Sequence, residues 1–222
     1  DALNLNHTLE LVEGSLNTND QNINCQYFYS PDTGTRALQL GTSIITLTGS
    51  LIEPFFGAAI SDGKQALRLN AINLTIDPGT SEIVFTHPEA LFAFSGPGAI
   101  DLNRVFFSAP AGLSYILPFD PNFDFSNFPT LNYSELEVAH DLIHNGGANI
   151  GSLILYAGKR YNFEGGYTFA LDAVQAAGDC LEGISLGTTD AGNPTNFSTL
   201  NAIVLDFVTL QGINATGTGS FT

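Results

Sequence analysis

The sequence contains no Trp and no Met, and only six of its 222 residues are Lys or Arg. Acidic residues number 22, so the formal net charge is −16. Six scattered cations cannot form the basic patch that a phosphate backbone requires, which argues against nucleic acid as a partner. The same deficit argues against binding to anionic membrane surfaces.

Long hydrophobic runs are also missing. The most apolar region, 40–60, is diluted by Thr, Ser and Gly and is interrupted at Glu53-Pro54, so no membrane span is expected. Hydrophobic residues nevertheless make up 44% of the chain, which is not typical of a disordered acidic protein. A chain that begins at Asp1 and lacks Met is expected to be a processed, secreted protein whose signal peptide has been removed.

Cysteine is scarce as well. Cys25 and Cys180 allow one disulfide, which is expected in an exported protein, and two unrelated buried thiols are the alternative. Acceptor sequences for N-glycosylation, N-x-S/T, occur slightly more often than chance predicts, which is consistent with secretion. They lie at Asn6, Asn73, Asn132, Asn196 and Asn214.

Most of the sequence alternates between apolar and polar residues with a period of two, the pattern of half-buried strands. Strands are predicted at 2–11, 43–52, 66–76, 82–86, 101–107, 114–117, 152–156, 167–172 and 202–210. Many short strands separated by Gly and Pro predict a mainly β fold, specifically an antiparallel β-sandwich or jelly roll. We expect one domain over 1–222, with two packed β-sandwich lobes as the alternative, and no internal repeat is convincing.

One segment, 134–145, instead predicts a short helix, because it begins with a capping box and carries an apolar stripe. On this helix His140 and His144 would share the polar side with Asp141, as in a zinc-binding metalloprotease helix. Asp141 stands where that motif has its general-base Glu, and Ile150 occupies the place of a third ligand. A solvated helix face is the favoured interpretation, and a zinc site is the alternative.

A second candidate metal site has an oxygen-bearing side chain at every second position, as in the first half of a calcium-binding loop. Its residues are Asp120, Asn122, Asp124 and Ser126. Phe125 and Leu131 stand where an EF-hand requires Gly and Glu, so an extended segment with packed Phe side chains is the alternative. No cofactor is expected, with calcium as the possible exception.

No nucleophile elbow or phosphate loop is recognisable, so the chain is not expected to be an enzyme. The favoured function is a secreted structural or adhesive subunit that self-associates through β-strand edges. Soluble proteins often prevent such edge-to-edge pairing with Lys side chains, and this chain contains only two Lys residues. The strand at 2–11 would then pair either within its own domain or with a neighbouring subunit. The alternatives are an extracellular module for glycans or a small apolar ligand, stabilised by calcium, and a zinc-dependent hydrolase using His140 and His144.

Overall fold

The computed structural model describes residues 2–50, 65–119, 128–176 and 178–221, with side-chain environments given up to Gly219. The described residues are mainly β, and they contain no helix. Every strand pair among them is parallel. The predicted antiparallel β-sandwich or jelly roll is therefore wrong, and the fold is a solenoid of parallel strands.

The strands are β1 (Leu3–Asn4), β2 (Thr8–Glu10), β3 (Gly14–Asn17), β4 (Ile23–Cys25), β5 (Tyr27–Ser30), β6 (Arg36–Gln39), β7 (Ile44–Leu47), β8 (Leu67–Asn70), β9 (Leu74–Asp77), β10 (Glu82–Phe85), β11 (Leu91–Ser95), β12 (Ala99–Phe107), β13 (Leu113–Pro118), β14 (Thr130–Val138), β15 (Asp141–His144), β16 (Ala148–Leu155), β17 (Arg160–Phe163), β18 (Thr168–Ala176), β19 (Ile184–Thr188), β20 (Thr195–Thr199), β21 (Ala202–Ile203), β22 (Val208–Gln211), β23 (Ile213–Gly217) and β24 (Ser220–Phe221).

Successive strands belong to different sheets, and the chain returns to the same sheet after each coil. Sheet A has the order β1-β4-β7-β10-β12-β14-β16-β18-β20-β23, and sheet B has the order β2-β5-β8-β11-β13-β15-β17-β19-β22. A third sheet, C, contains β3-β6-β9, and β21 pairs with β24. Each of the first coils therefore has three faces, one from each of the sheets A, B and C.

From β12 onward, one long strand covers two of these faces. In β12, β14, β16 and β18, strict alternation breaks in the middle, where two consecutive residues are both turned away from the core. These pairs are Asn103-Arg104, Ser134-Glu135, Gly151-Ser152 and Asp172-Ala173. The first half of β12 contacts β9, so it continues the face of sheet C, and the second half continues that of β10. The first halves of β12, β14, β16 and β18 lie beside β20 and β23. We call the outer surface of these six strand segments the polar face.

The core is built from side chains that stack in register from coil to coil. One aliphatic column runs through Ile45, Ile83, Val105, Leu136 and Leu153, all of which are buried. Such side-chain pairs on neighbouring strands are the basic unit of sheet stabilisation. A single apolar cluster of this kind continues from Leu11 to Ile203.

Coil length varies strongly along the chain. Ile45 pairs with Ile83, 38 residues later, whereas Leu136 pairs with Leu153, only 17 residues later. Insertions between the strands change the spacing without disturbing the register of the core. A repeating architecture is therefore present without a fixed sequence period.

The predicted helix at 134–145 is also wrong. Residues 134–138 lie in β14 and residues 141–144 form β15. Every second residue from 136 to 144 is buried, which is the period of a strand. These buried residues are Leu136, Val138, His140, Leu142 and His144, so both histidines face inward. The sequence pattern predicted a helix because the two histidines were assigned to a polar, solvent-facing side.

The predicted Cys25–Cys180 disulfide is not formed, and both thiols are free. Cys25 is buried in β4, while Cys180 is exposed between β18 and β19. Sheet A places six strand-to-strand steps between β4 and β18, which corresponds to roughly 29 Å at about 4.8 Å per step. A disulfide requires Cα atoms within about 7 Å of each other, so this fold separates the two cysteines too widely.

The N-terminal segment 2–11 pairs within its own chain, β1 with β4 and β2 with β5, both in parallel.

None of the described segments forms a helix of the length and apolarity needed to cross a membrane.

Candidate functional site

His140 lies in the short bend between β14 and β15 and is fully buried. Its Nδ1 is 2.9 Å from the carbonyl oxygen of Ala109, and its Nε2 is 2.7 Å from Ser114 Oγ. A carbonyl can only accept, so Nδ1 carries the proton and Nε2 accepts from the Ser114 hydroxyl. Ser114 Oγ in turn accepts from the backbone N–H of Ala90 at 3.1 Å. Burial lowers the pKa of His140, which keeps the ring neutral.

His144 points into the core from β15 and is surrounded by aromatic rings. The rings of Phe163, Phe169 and Tyr133 lie within 6.3 Å of it, measured between centroids. Burial lowers the pKa of His144 to about 3, because the charged form would lose its hydration. His144 is thus a neutral core residue.

The two histidines do not share a common face open to solvent. The chain between His140 and His144 is extended rather than helical, and four extended residues span up to about 13 Å. The geometry of a zinc-binding helix is therefore absent, and the polar helix face expected as the alternative is absent too. The described residues contain no group of three or more His, Cys, Asp or Glu side chains able to hold a metal ion.

The candidate calcium segment, Asp120 to Ser126, lies outside the described residues. Calcium at Asp120, Asn122, Asp124 and Ser126 remains a prediction from the sequence.

A charged cluster that the sequence did not reveal lies on the outer side of sheet A. Arg104 bonds to Glu82 and Glu135 at 2.5 Å each and also to Glu137. The Tyr156 hydroxyl donates a hydrogen bond to Glu137. Glu82, Arg104 and Glu135 are direct register partners on three neighbouring strands, which places them in one row.

All three carboxylates of this cluster contact the same guanidinium. Partial burial alone would lower the pKa of Arg104, but the bonds to Glu137 and Glu135 raise it above its ordinary value. Since each carboxylate already accepts from the guanidinium, none is a free acid or base. The cluster links β10, β12 and β14 and is a structural feature of sheet A.

The polar face carries a row of hydrogen-bonded side chains. Asn149 donates through Nδ2 to Asn132 Oδ1 at 2.7 Å, and Asn132 donates through Nδ2 to Asp101 Oδ1 at 2.6 Å. These three residues are register partners on β16, β14 and β12. Two further strands continue the row with Ala170 and Ser198. Parallel in-register stacking brings such amides together as a ladder.

A groove crosses the polar face above β16. It consists of two adjoining cavities of about 470 and 540 Å³, which share Asn149. The first is lined by residues that include Phe128, Thr130, Gly147, Tyr167 and Thr168, and the second by residues that include Asn132, Ser134, Gly151, Ala170 and Asp172. Among the described residues, no Lys or Arg lines either cavity. The groove therefore offers amides, hydroxyls and one carboxylate, with aromatic rings at one end.

The five glycosylation sequons differ in their surroundings. Asn6, Asn73 and Asn214 are exposed, whereas Asn132 and Asn196 are half-buried. The Asn132 side chain is also held on both sides by Asp101 and Asn149. Glycosylation at these positions remains a prediction.

The last coil of the solenoid exposes apolar side chains. Leu200 is 74% exposed, Val204 64%, Phe207 57% and Leu210 44%. Phe207 has a φ of 54°, which is rare for a bulky residue. The coil also ends the sheets, since β22 is the last strand of sheet B and β23 the last of sheet A among the described strands.

Comparison with known proteins yields no relative: no protein-family model, curated protein or solved structure matches the chain.

Proposed function

We propose that this protein is a structural subunit that self-associates end to end through the terminal coils of its solenoid. The observation that carries this proposal is the exposed apolar surface of the last coil, where Leu200, Val204, Phe207 and Leu210 lie beside the final strands. Exposed apolar surface of this kind is typical of interaction sites. Soluble solenoids usually cover their terminal repeats with a polar outer face, whereas this coil presents apolar side chains.

The parallel arrangement favours a second copy of the same chain, placed head to tail. The first coil offers β1, β2 and β3 as the initial strands of sheets A, B and C. The last coil offers the opposite edges of β22 and β23. When one subunit stacks on the next, the parallel pairing continues as it does between coils within the chain, with main-chain hydrogen bonds providing affinity. Such a head-to-tail contact does not close on itself and therefore generates filaments.

The strands of the last coil have few of the residues that usually protect an edge. Proteins block such edges with Lys, Pro or other charged residues. Residues 200–222 contain no Lys, Arg or Pro, and their one charged side chain is Asp206. An extracellular location for this subunit is part of the proposal and is supported by the sequons, of which Asn6, Asn73 and Asn214 are exposed.

Sedimentation velocity of the full chain over a range of concentrations tests the proposal. We expect the wild-type protein to form larger species as concentration rises, and Leu210→Lys to shift the distribution toward the monomer. Ile44→Lys is the matched control, because Ile44 is 39% exposed but lies in β7, away from both ends. An unchanged circular dichroism spectrum shows that each variant is folded. A wild-type protein that stays monomeric, or Leu210→Lys assembling like Ile44→Lys, would contradict end-to-end association.

A further inference from the structure

We propose that the groove on the polar face binds a neutral oligosaccharide. This binding site is separate from the terminal coils, so it does not depend on self-association. Four features of the groove support the proposal, namely its shape, its fixed hydrogen-bonding groups, its aromatic end and its charge.

The shape suits a linear chain. The two cavities join at Asn149 and extend along the strand direction, from Phe128 and Tyr167 at one end to Ser134 and Asp172 at the other. Between Phe128 and Ser134 the chain covers six residues, or roughly 20 Å if extended. An open trough of this length accommodates several linked sugar units.

The hydrogen-bonding groups of the groove are fixed before a ligand binds. Asn149 is exposed, and its amide nitrogen is held by Asn132, which is held in turn by Asp101. The Asn149 carbonyl oxygen is therefore oriented and can accept a hydrogen bond from a sugar hydroxyl. Because the side chain is already ordered, ligand binding costs little additional conformational entropy.

An aromatic ring stands at one end of the groove. Tyr167 is half-buried, and its Cδ1 would lie 3.7 Å from a Cβ atom built on Gly147. The bare backbone at Gly147 thus leaves one side of the ring accessible from the groove. Aromatic rings provide a rigid apolar surface beside a polar group, which suits a sugar ring with its C–H face and its hydroxyls.

The charge of the groove decides between classes of sugar. Asp172 lines the groove and Asp101 adjoins it, whereas none of the Lys and Arg residues that the structure describes lines it. The chain as a whole has a formal net charge of −16. Uronic acids and sulfated sugars would be repelled by this field, so the ligand class is neutral, with N-acetylated sugars included.

Isothermal titration calorimetry with the full chain tests the proposal. The probes are four neutral hexasaccharides, namely cellohexaose, xylohexaose, mannohexaose and N-acetyl-chitohexaose, with hexagalacturonate as the acidic comparison. We expect at least one neutral probe to bind and hexagalacturonate to bind more weakly. Absence of binding by all four neutral probes at millimolar concentration would overturn the proposal, as would preferential binding of hexagalacturonate.

Three variants locate the binding site. Asn149→Ala and Tyr167→Ala should each weaken binding roughly tenfold, the loss expected for one good contact. Ala170→Lys places a long side chain beside Asn149, its neighbour in the register, and should block the groove. Asn214→Ala is the matched control, since Asn214 is an exposed Asn of the same face that lies outside the groove. Binding that is equally strong in Ala170→Lys and in Asn214→Ala would overturn the assignment.

Discussion

Ser114 and His140 are joined by a hydrogen bond of 2.7 Å between Ser114 Oγ and His140 Nε2, in a site where neither side chain is exposed. A Ser–His pair of this geometry resembles a nucleophile and its base, but here both atoms are enclosed by the core and no substrate can reach them. The pair instead satisfies buried polar groups at the junction of β13, β14 and β15.

Replacing Ser114 with Ala should therefore destabilise the protein by roughly 2–3 kcal/mol, since it leaves His140 Nε2 and the Ala90 N–H unpaired in the core. Urea denaturation measures the change in the free energy of unfolding. Ser134→Ala is the control, because Ser134 is exposed and its loss should have little effect. If the two variants were equally stable, the buried network would have no structural role.

The second prediction concerns His144 and pH. Its folded-state pKa is about 3, below the unfolded value of about 6.5. The unfolded chain therefore binds the proton first, and the stability from keeping His144 neutral is lost as the pH falls from about 6.5 toward 3. The loss reaches on the order of 5 kcal/mol, because each pKa unit corresponds to about 1.4 kcal/mol.

We expect His144→Phe to flatten the dependence of unfolding free energy on pH across this window. The acidic side chains contribute to both proteins, so the difference between them isolates His144. His7→Asn is the control, since His7 is exposed. Parallel stability curves for His144→Phe and wild type would refute the assignment of a buried neutral imidazole.

Arg36 is the subject of the third prediction. It is 1% exposed and donates to the carbonyl oxygens of Gly34, Ser30, Asn70 and Ile72, with distances from 2.5 to 3.0 Å. These acceptors belong to two successive coils, so the guanidinium fixes one corner of the solenoid.

Lys lacks the planar fork that reaches these acceptors, and Arg36→Lys should destabilise the protein by roughly 2–4 kcal/mol. Thermal unfolding compared with Arg160→Lys, an exposed control, measures the effect. An equal change in melting temperature for the two variants would contradict this role.

The fourth prediction concerns the charged cluster of sheet A. Arg104→Gln leaves Glu82, Glu135 and Glu137 close together without their cation. Their repulsion should cost about 1–2 kcal/mol at pH 7, a modest value because the side chains are partly solvated. Glu135→Gln in the same chain should partly rescue the stability, because it removes one of the three negative charges, and urea denaturation measures both changes. A deficit that Glu135→Gln does not reduce would show that the effect is not electrostatic.

The positions of many strands could be predicted from the sequence, but their pairing could not. Alternation at 82–86 and 114–117 shows that one side of each strand is buried, and the structure has β10 and β13 there. Alternation does not distinguish a parallel neighbour from an antiparallel one. The turn at Asp77-Pro78-Gly79 resembles a hairpin connection, but it is a corner between β9 and β10, which lie on different faces.

The candidate sites are formed by residues that become neighbours only through the strand pairing, which the sequence does not reveal. Arg104 meets Glu135 and Glu137, which lie 31 and 33 residues later in the chain. Asp101, Asn132 and Asn149 likewise become neighbours only when the coils stack. Unequal coil lengths hide these pairings, so no local motif could have revealed either the charged cluster or the groove.

Electron microscopy of the full chain at high micromolar concentration tests end-to-end association most directly. We expect filaments one solenoid wide, in which the strands lie across the filament axis and repeat at about 4.8 Å along it, and we expect Leu210→Lys to abolish them. Uniform single particles, or filaments built by side-by-side contacts that persist in Leu210→Lys, would contradict it.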